Sequence, residues 1–135
     1  MNDSFSKLAI LIPSFNPDQN LLDLVVGLST ISWNEIIIVD DGSSNKSKIF
    51  FDKLKAFDNV HVITHSNNQG KGAALKTGIA YVNNKATRPD GVITVDSDGQ
   101  HLIEDIKKIA KSVEGRENDV IFGVRSFGEG TPFRS

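Results

Sequence analysis

A chain of 135 residues, with 39% hydrophobic and 24% charged side chains, has room for one globular domain with a substantial core. Its formal net charge of −2 supplies no global positive field for nucleic acid. The absence of cysteine excludes a disulfide framework and any thiolate metal site, and fits a reducing, cytoplasmic compartment.

The polar opening, which includes Asp3, precedes only a short apolar run, so it does not read as a signal peptide. No stretch approaches the ~18 apolar residues that a membrane span needs, and membrane association is expected only through segments outside this chain. The first apolar run, Leu8 to Ile12, reads as a strand and ends in Pro13-Ser14-Phe15-Asn16. Asn16 or Asp18 is placed to cap a first helix, in which Leu21, Val25, Leu28 and Ile31 share a stripe. A second strand, Ile36 to Val39, ends in Asp40-Asp41-Gly42-Ser43-Ser44. Ser43 to Asn45 would cap a helix carrying Phe50, Leu54 and Phe57.

The third strand, Val60 to Ile63, runs into His65-Ser66-Asn67-Asn68-Gln69-Gly70-Lys71-Gly72 and a helix with Leu75, Ile79 and Val82. The fourth, Val92 to Val95, ends in Asp96-Ser97-Asp98-Gly99-Gln100-His101. Glu104 and Asp105 open a fourth helix bearing Ile103, Ile106, Ala110 and Val113. The fifth strand, Val120 to Val124, leads to Arg125 and a tail punctuated by Gly128, Gly130 and Pro132. The strand runs are rich in Ile and Val without polar alternation, as strands buried on both faces are. Strand and helix alternate throughout, which predicts a Rossmann-like, doubly wound α/β domain with a mostly parallel sheet and helices on both faces.

Ligands of such sheets bind outside the carboxyl ends of the strands, and four of the five strand ends carry polar chemistry. Asp96 and Asp98 share one side of an extended segment. Two adjacent carboxylates repel unless a cation lies between them, and oxygen-only ligation favours Mg²⁺ or Mn²⁺ bridging to phosphate. The alternative use of these aspartates is turn formation and capping, and for Asp40-Asp41-Gly42 the two uses stand level. Gly70 and Lys71 open a helix whose N-terminus attracts anions, although no Walker loop is spelled. Arg125 is a candidate diphosphate ligand, Trp33 and Phe57 read as packing residues, and His65 stays open between packing and site.

Together these segments resemble glycosyltransferase family 2, of the GT-A fold. Ile12 to Asn16 is similar to that family's Pro-x-Tyr-Asn element, with Phe15 in the place of tyrosine. Ile38 to Ser44 matches its Val-Asp-Asp-Gly-Ser element, and Asn67 to Ala74 its Asn-x-Gly-x-Gly-x-Ala helix start. Asp96 to His101 resembles the Asp-x-Asp motif in the Asp-Gly-Gln-His form of the dolichyl- or polyprenyl-phosphate sugar synthase branch, and Gly123 to Phe127, followed by Pro132 to Ser135, is also similar to that branch. The resemblance implies a nucleotide-sugar-binding domain over residues 1–135, stopping before the acceptor-binding half, with the catalytic base expected beyond Ser135. It implies inverting transfer from a UDP- or GDP-sugar, with polyprenyl phosphate as an acceptor. Pro13 and Phe15 would line the base pocket beside Asn16, and Asp40 or Asp41 would contact the base. Asp96 and Asp98 would hold Mg²⁺ or Mn²⁺ with the sugar-diphosphate, and Gln100 and Arg125 would lie nearby.

Three rival readings compete. A haloacid-dehalogenase-type phosphatase also carries Asp-x-Asp after a strand, but on its first strand rather than the fourth. A dinucleotide dehydrogenase lacks its Gly-x-Gly-x-x-Gly here. A non-catalytic nucleotide-sugar-binding module shares every motif and differs only in turnover.

Overall fold

A computed structural model describes residues 5–97 and 103–112 in full and 120–124 as backbone. The elements run β1 (Leu8–Ser14), α1 (Gln19–Leu28), β2 (Glu35–Asp40), α2 (Lys48–Leu54), β3 (Val60–Thr64), α3 (Lys71–Asn83), β4 (Gly91–Val95), α4 (Ile103–Ser112) and β5 (Val120–Val124). All strand pairings are parallel, in the order β3-β2-β1-β4-β5. The sheet therefore grows outward from β1 through β2 to β3, then returns across β1 to add β4. The strand order reverses between β1 and β4, and in sheets of this kind ligands bind at the carboxyl edge at such a point.

Residue parity along β1 sorts the core. Leu8, Ile10 and Ile12 join Leu21, Leu24, Phe51, Leu54, Ile106 and Ala110, so α1, α2 and α4 cover one face. Ala9 and Leu11 join Ile37, Val39, Ala74 and Val82, so α3 covers the other. Helices on both faces make the domain doubly wound, as the alternation of elements predicts.

The strands match the apolar runs with a residue or two added at their ends. β1 and β4 are buried throughout, but β3 is not: His61 and Thr64 are exposed. β3 is the last strand on its side, and an edge strand is never flanked as fully as a central one.

The helical stripes need three corrections. α1 stops at Leu28, where the Ser29 N–H closes on the Val25 carbonyl at 2.8 Å. Ile31 follows the helix and packs on the core from outside it. In α2 the buried residues are Phe51 and Leu54, with Phe50 turned half outward and Phe57 past the helix end. On α3 the contact line is Ala74, Gly78 and Val82, with Leu75 and Ile79 on its flanks. Small residues win that line because the helix lies close to β1: a Cβ on Gly78 would overlap the terminal methyls of Leu11. On α4, Ile106 and Ala110 are buried as the stripe predicts, and Val113 lies outside the described residues.

That close approach gives a stability test. Gly78→Val should lower the unfolding free energy by about 1–3 kcal/mol, the usual cost of overpacking, read as a drop in urea midpoint. Gly72→Ala on the same helix, where an added Cβ meets nothing within 4 Å, should lose none.

Candidate nucleotide-binding cleft

The register of β1, β2 and β3 aligns Ser14, Asp40 and Thr64 in one row at the carboxyl edge. Beyond that row lies a cleft of about 380 Å³, at the place where the strand order reverses. It is lined by Pro13, Ser14 and Phe15 from the end of β1, by Asp41 after β2 and Asn68 after β3, by Gly70, Lys71 and Ala74 at the start of α3, and by Asp96 and Ser97 after β4.

The β1 wall is held by a reciprocal clasp. Asn16 has φ 49°, a left-handed conformation that asparagine tolerates better than most residues. Its N–H donates to Ser43 Oγ at 2.8 Å, and its Oδ1 accepts from the Ser44 N–H at 2.8 Å. The clasp ties the loop after β1 to the loop after β2. It leaves Phe15 51% exposed beside the cleft, an uncommon setting for a phenyl ring in a folded chain. Asn16 thus acts as a clasp, and Asp18 is the cap of α1, accepting from the Asn20 N–H at 2.9 Å.

The two adjacent aspartates do different work. Asp40 is 1% exposed and away from the cleft, accepting from the Ser43 N–H at 2.9 Å and from Lys48 Nζ at 3.0 Å. Asp41 lines the cleft and gathers the β3–α3 loop. Its Oδ1 accepts from the Gln69 N–H at 2.9 Å and pairs with His65 Nδ1 at 2.8 Å. Its Oδ2 accepts from the Gly70 N–H at 2.9 Å and from Asn68 Nδ2 at 3.1 Å. Burial pushes the Asp41 carboxyl upward, but the His65 hydrogen bond, the Gln69 and Gly70 N–H groups and the attraction of His65 outweigh it. The carboxyl is held below its ordinary value.

His65, open between packing and site in the sequence, does not line the cleft but bonds to Asp41, which does. A carboxylate only accepts, so Nδ1 carries the proton it shares with Asp41, and Nε2 meets Thr77 Oγ1 at 2.8 Å. Carboxylate, imidazole and hydroxyl stand in triad order, but Thr77 sits in the middle of α3 and does not line the cleft. The chain of bonds moors α3 to the end of β2. Nothing in the sequence marks Thr77, because its partner is twelve residues away on another element.

The lining from α3 is a helix start. Gly70 takes φ 100°, which a side chain would strain, and no side chain caps the helix. The first-turn N–H groups of a helix have no intrahelical partners, and Gly70, Lys71 and Ala74 of this helix start line the cleft. Lys71 adds a full charge there and reaches Asp96 Oδ1 at 2.8 Å.

Of the residues singled out in the sequence, Pro13, Phe15, Asp41, Gly70, Lys71 and Asp96 meet around this one cleft, with Asn16 clasping its rim and Asp40 behind it. Asp98, Gln100 and Arg125 lie outside the described residues. Among the described residues, no three His, Cys, Asp or Glu side chains converge as a metal site. Asp96 nonetheless suits a cation, because it holds one, the Lys71 ammonium. Among those residues, no helix is long and apolar enough to cross a membrane.

Residues 9–135 match the family described as Glycosyl transferase family 2. An uncharacterized protein of Methanocaldococcus jannaschii is 32% identical over 118 residues, 87% of this chain and 51% of that protein. The UDP-N-acetylglucosamine–dolichyl-phosphate N-acetylglucosaminyltransferase of Methanococcus voltae is 29% identical over 129 residues, 86% of this chain and 51% of that enzyme. The undecaprenyl-phosphate 4-deoxy-4-formamido-L-arabinose transferase of Salmonella paratyphi B is 31% identical over 137 residues, 95% of this chain and 39% of that enzyme. The chain thus spans about half the length, or less, of these relatives.

Proposed function

This chain belongs to glycosyl transferase family 2, and from that membership and the cleft we propose that it forms the nucleotide-sugar-binding part of an inverting, divalent-metal-dependent sugar transferase. The donor is a UDP- or GDP-sugar. The acceptor is a polyprenyl phosphate, a reading supported by the names of the Methanococcus and Salmonella relatives. The observation that carries the proposal is the pairing, across one cleft, of an uncapped helix start bearing Lys71 with the carboxylate of Asp96. That pairing suits a ligand that is anionic and also brings a cation.

In this reading Phe15 offers its ring face to the nucleobase, Pro13 lines the same wall, and Asp41, rather than Asp40, orders the base end. The N–H groups of the first turn of α3 and Lys71 receive the diphosphate. Asp96, with Asp98, holds Mg²⁺ or Mn²⁺, which when bound neutralises charge on the diphosphate. Gln100 and Arg125 are assigned to the same sugar-diphosphate end. In the transfer, an acceptor oxygen forms a bond to the anomeric carbon as the bond to the diphosphate oxygen breaks. The electron pair leaves with the diphosphate, where Lys71 and the helix N-terminus stabilise it. The phosphatase reading of Asp96-x-Asp98 gives way to the family assignment.

Calorimetric titration of the chain with UDP- and GDP-sugars, with and without Mn²⁺, tests this directly. Saturable binding that strengthens at least tenfold with Mn²⁺ is expected. Binding that ignores the metal would remove the metal from the proposal, and no binding to any nucleotide-sugar would end it.

A further inference from the structure

Asp41 lies at the base end of the cleft, yet its carboxylate is full. A carboxylate has about four acceptor directions, and all four are taken: His65 and Gln69 on Oδ1, Asn68 and Gly70 on Oδ2. Its side chain is 5% exposed. A nucleobase arriving with a ring N–H finds no lone pair there unless one of these donors leaves. Asp40 is more deeply buried and does not reach the cleft.

Asn68 is the group that stands in front. It is exposed and lines the cleft. Its Nδ2 donates both to the Asp41 main-chain carbonyl, at 3.2 Å, and to Asp41 Oδ2, at 3.1 Å. An amide nitrogen has two hydrogens, enough to serve both acceptors. The orientation of the amide is thereby set: flipped, its oxygen would face two acceptors. Among the described residues Asn68 Oδ1 accepts no hydrogen bond, which leaves it as the open acceptor of a cleft-lining side chain.

We propose that Asn68 Oδ1, oriented by Asp41, reads the nucleobase of the donor by accepting its ring N–H. This rests on the nucleotide-sugar reading of the cleft given above. Uracil (N3–H) and guanine (N1–H) both offer that donor. Neutral cytosine and adenine carry a lone pair at the corresponding ring nitrogen, and two acceptors brought together repel. Asp41 is then a positioning residue, and the specificity of the site depends on an amide that it holds in one orientation. A site built to pair a ring N–H discriminates strongly against bases that leave it unpaired.

The test is a set of affinity ratios measured by calorimetry in Mn²⁺. For the unmodified chain, UDP should bind at least about tenfold more tightly than CDP or N3-methyl-UDP, or GDP at least tenfold more tightly than 1-methyl-GDP. The pair that shows the preference identifies the base. In Asn68→Ala the ratio should fall to within about twofold of one, through weaker binding of the N–H base. Gln69→Ala keeps its main-chain bond to Asp41 and should retain the full ratio. If the methylated base binds the unmodified chain as well as its parent does, the proposal is wrong, whatever the variants do. It is equally overturned if Asn68→Ala keeps the ratio, which would assign base reading to another group, or if Gln69→Ala loses it, which would make loop integrity the cause. Failure of the unmodified chain to bind any nucleotide would instead refute the nucleotide-sugar reading itself.

Discussion

Replacing Asp41 with alanine should cost about 3–5 kcal/mol of stability and abolish nucleotide binding, whereas Gln69→Ala should do neither. The size follows from what the carboxylate holds. Two main-chain N–H groups, an imidazole and an amide converge on it. Removing one partner from a buried charged network strands the others at about 3–5 kcal/mol. Set against a typical total of about 5–15 kcal/mol, that leaves a folded but weakened domain, visible as a lower urea midpoint. The loss of binding comes from the loop: without Asp41, the start of α3 is no longer tied to the end of β2, and the helix N-terminus loses its fixed place in the cleft wall. The same network predicts an acid limb. The folded carboxyl titrates below its ordinary value of 3.8, so its contribution is complete above that pH and is lost as pH falls through it toward the lower folded value. Asp41→Asn should flatten that part of the stability–pH curve. An unchanged acid limb in the variant would mean that other carboxylates set it.

Asp96→Ala should have the opposite profile, with stability untouched and binding lost. Its pair with Lys71 joins a 63% exposed ammonium to a 28% exposed carboxylate. Such pairs contribute about 0–1 kcal/mol, so the melting temperature should move little. Metal-assisted nucleotide binding should weaken at least about 100-fold, or about 2.7 kcal/mol, because Asp96 is proposed as a cation ligand beside the diphosphate. Lys71→Met separates the two partners further: it should weaken nucleotide binding while leaving Mn²⁺ dependence in place. If Asp96→Ala binds donor with unaltered affinity and metal dependence, then the Asp96 and Asp98 assignment is wrong.

The fold was legible because each strand is a short Ile- and Val-rich run, cut off by polar residues, and each crossover has a helical period. The interior of the sheet leaves few other solutions for such runs. What periodicity missed was the line along which a helix touches its sheet. On α3 the eye goes to Leu75 and Ile79, but proximity to Leu11 selects Gly78 and Ala74. A hydrophobic pattern reports which residues avoid water, and close packing also rewards the absence of a side chain. At the cleft, Phe15, Asp41, Lys71 and Asp96 were legible because they break off apolar strands at one edge. The division of labour between Asp40 and Asp41 was not. Asp40 ends β2 and Asp41 follows it, and only the folding of the β3–α3 loop around Asp41 fixes which carboxylate meets the cleft. His65 and Thr77 were beyond reach for a related reason, since a hydrogen bond between a loop and the middle of a helix leaves no spacing signature.

The central place of β1 also has a consequence for how the chain is made. One edge of β1 pairs with β2, which follows after a single helix, but the other edge pairs with β4, starting from Leu8 opposite Gly91, about eighty residues later. During synthesis the first strand therefore spends most of the chain's emergence with one row of main-chain groups unpaired, while its Ile and Leu side chains are only partly covered. An open apolar edge of that kind invites pairing with another nascent copy. The step that ends the exposure is the arrival of β4, the same strand that delivers Asp96 to the cleft. A nascent chain whose Gly91 is still inside the ribosome should depend on chaperones far more than one from which Val95 has emerged, so that the completion of the binding edge and escape from aggregation become a single event.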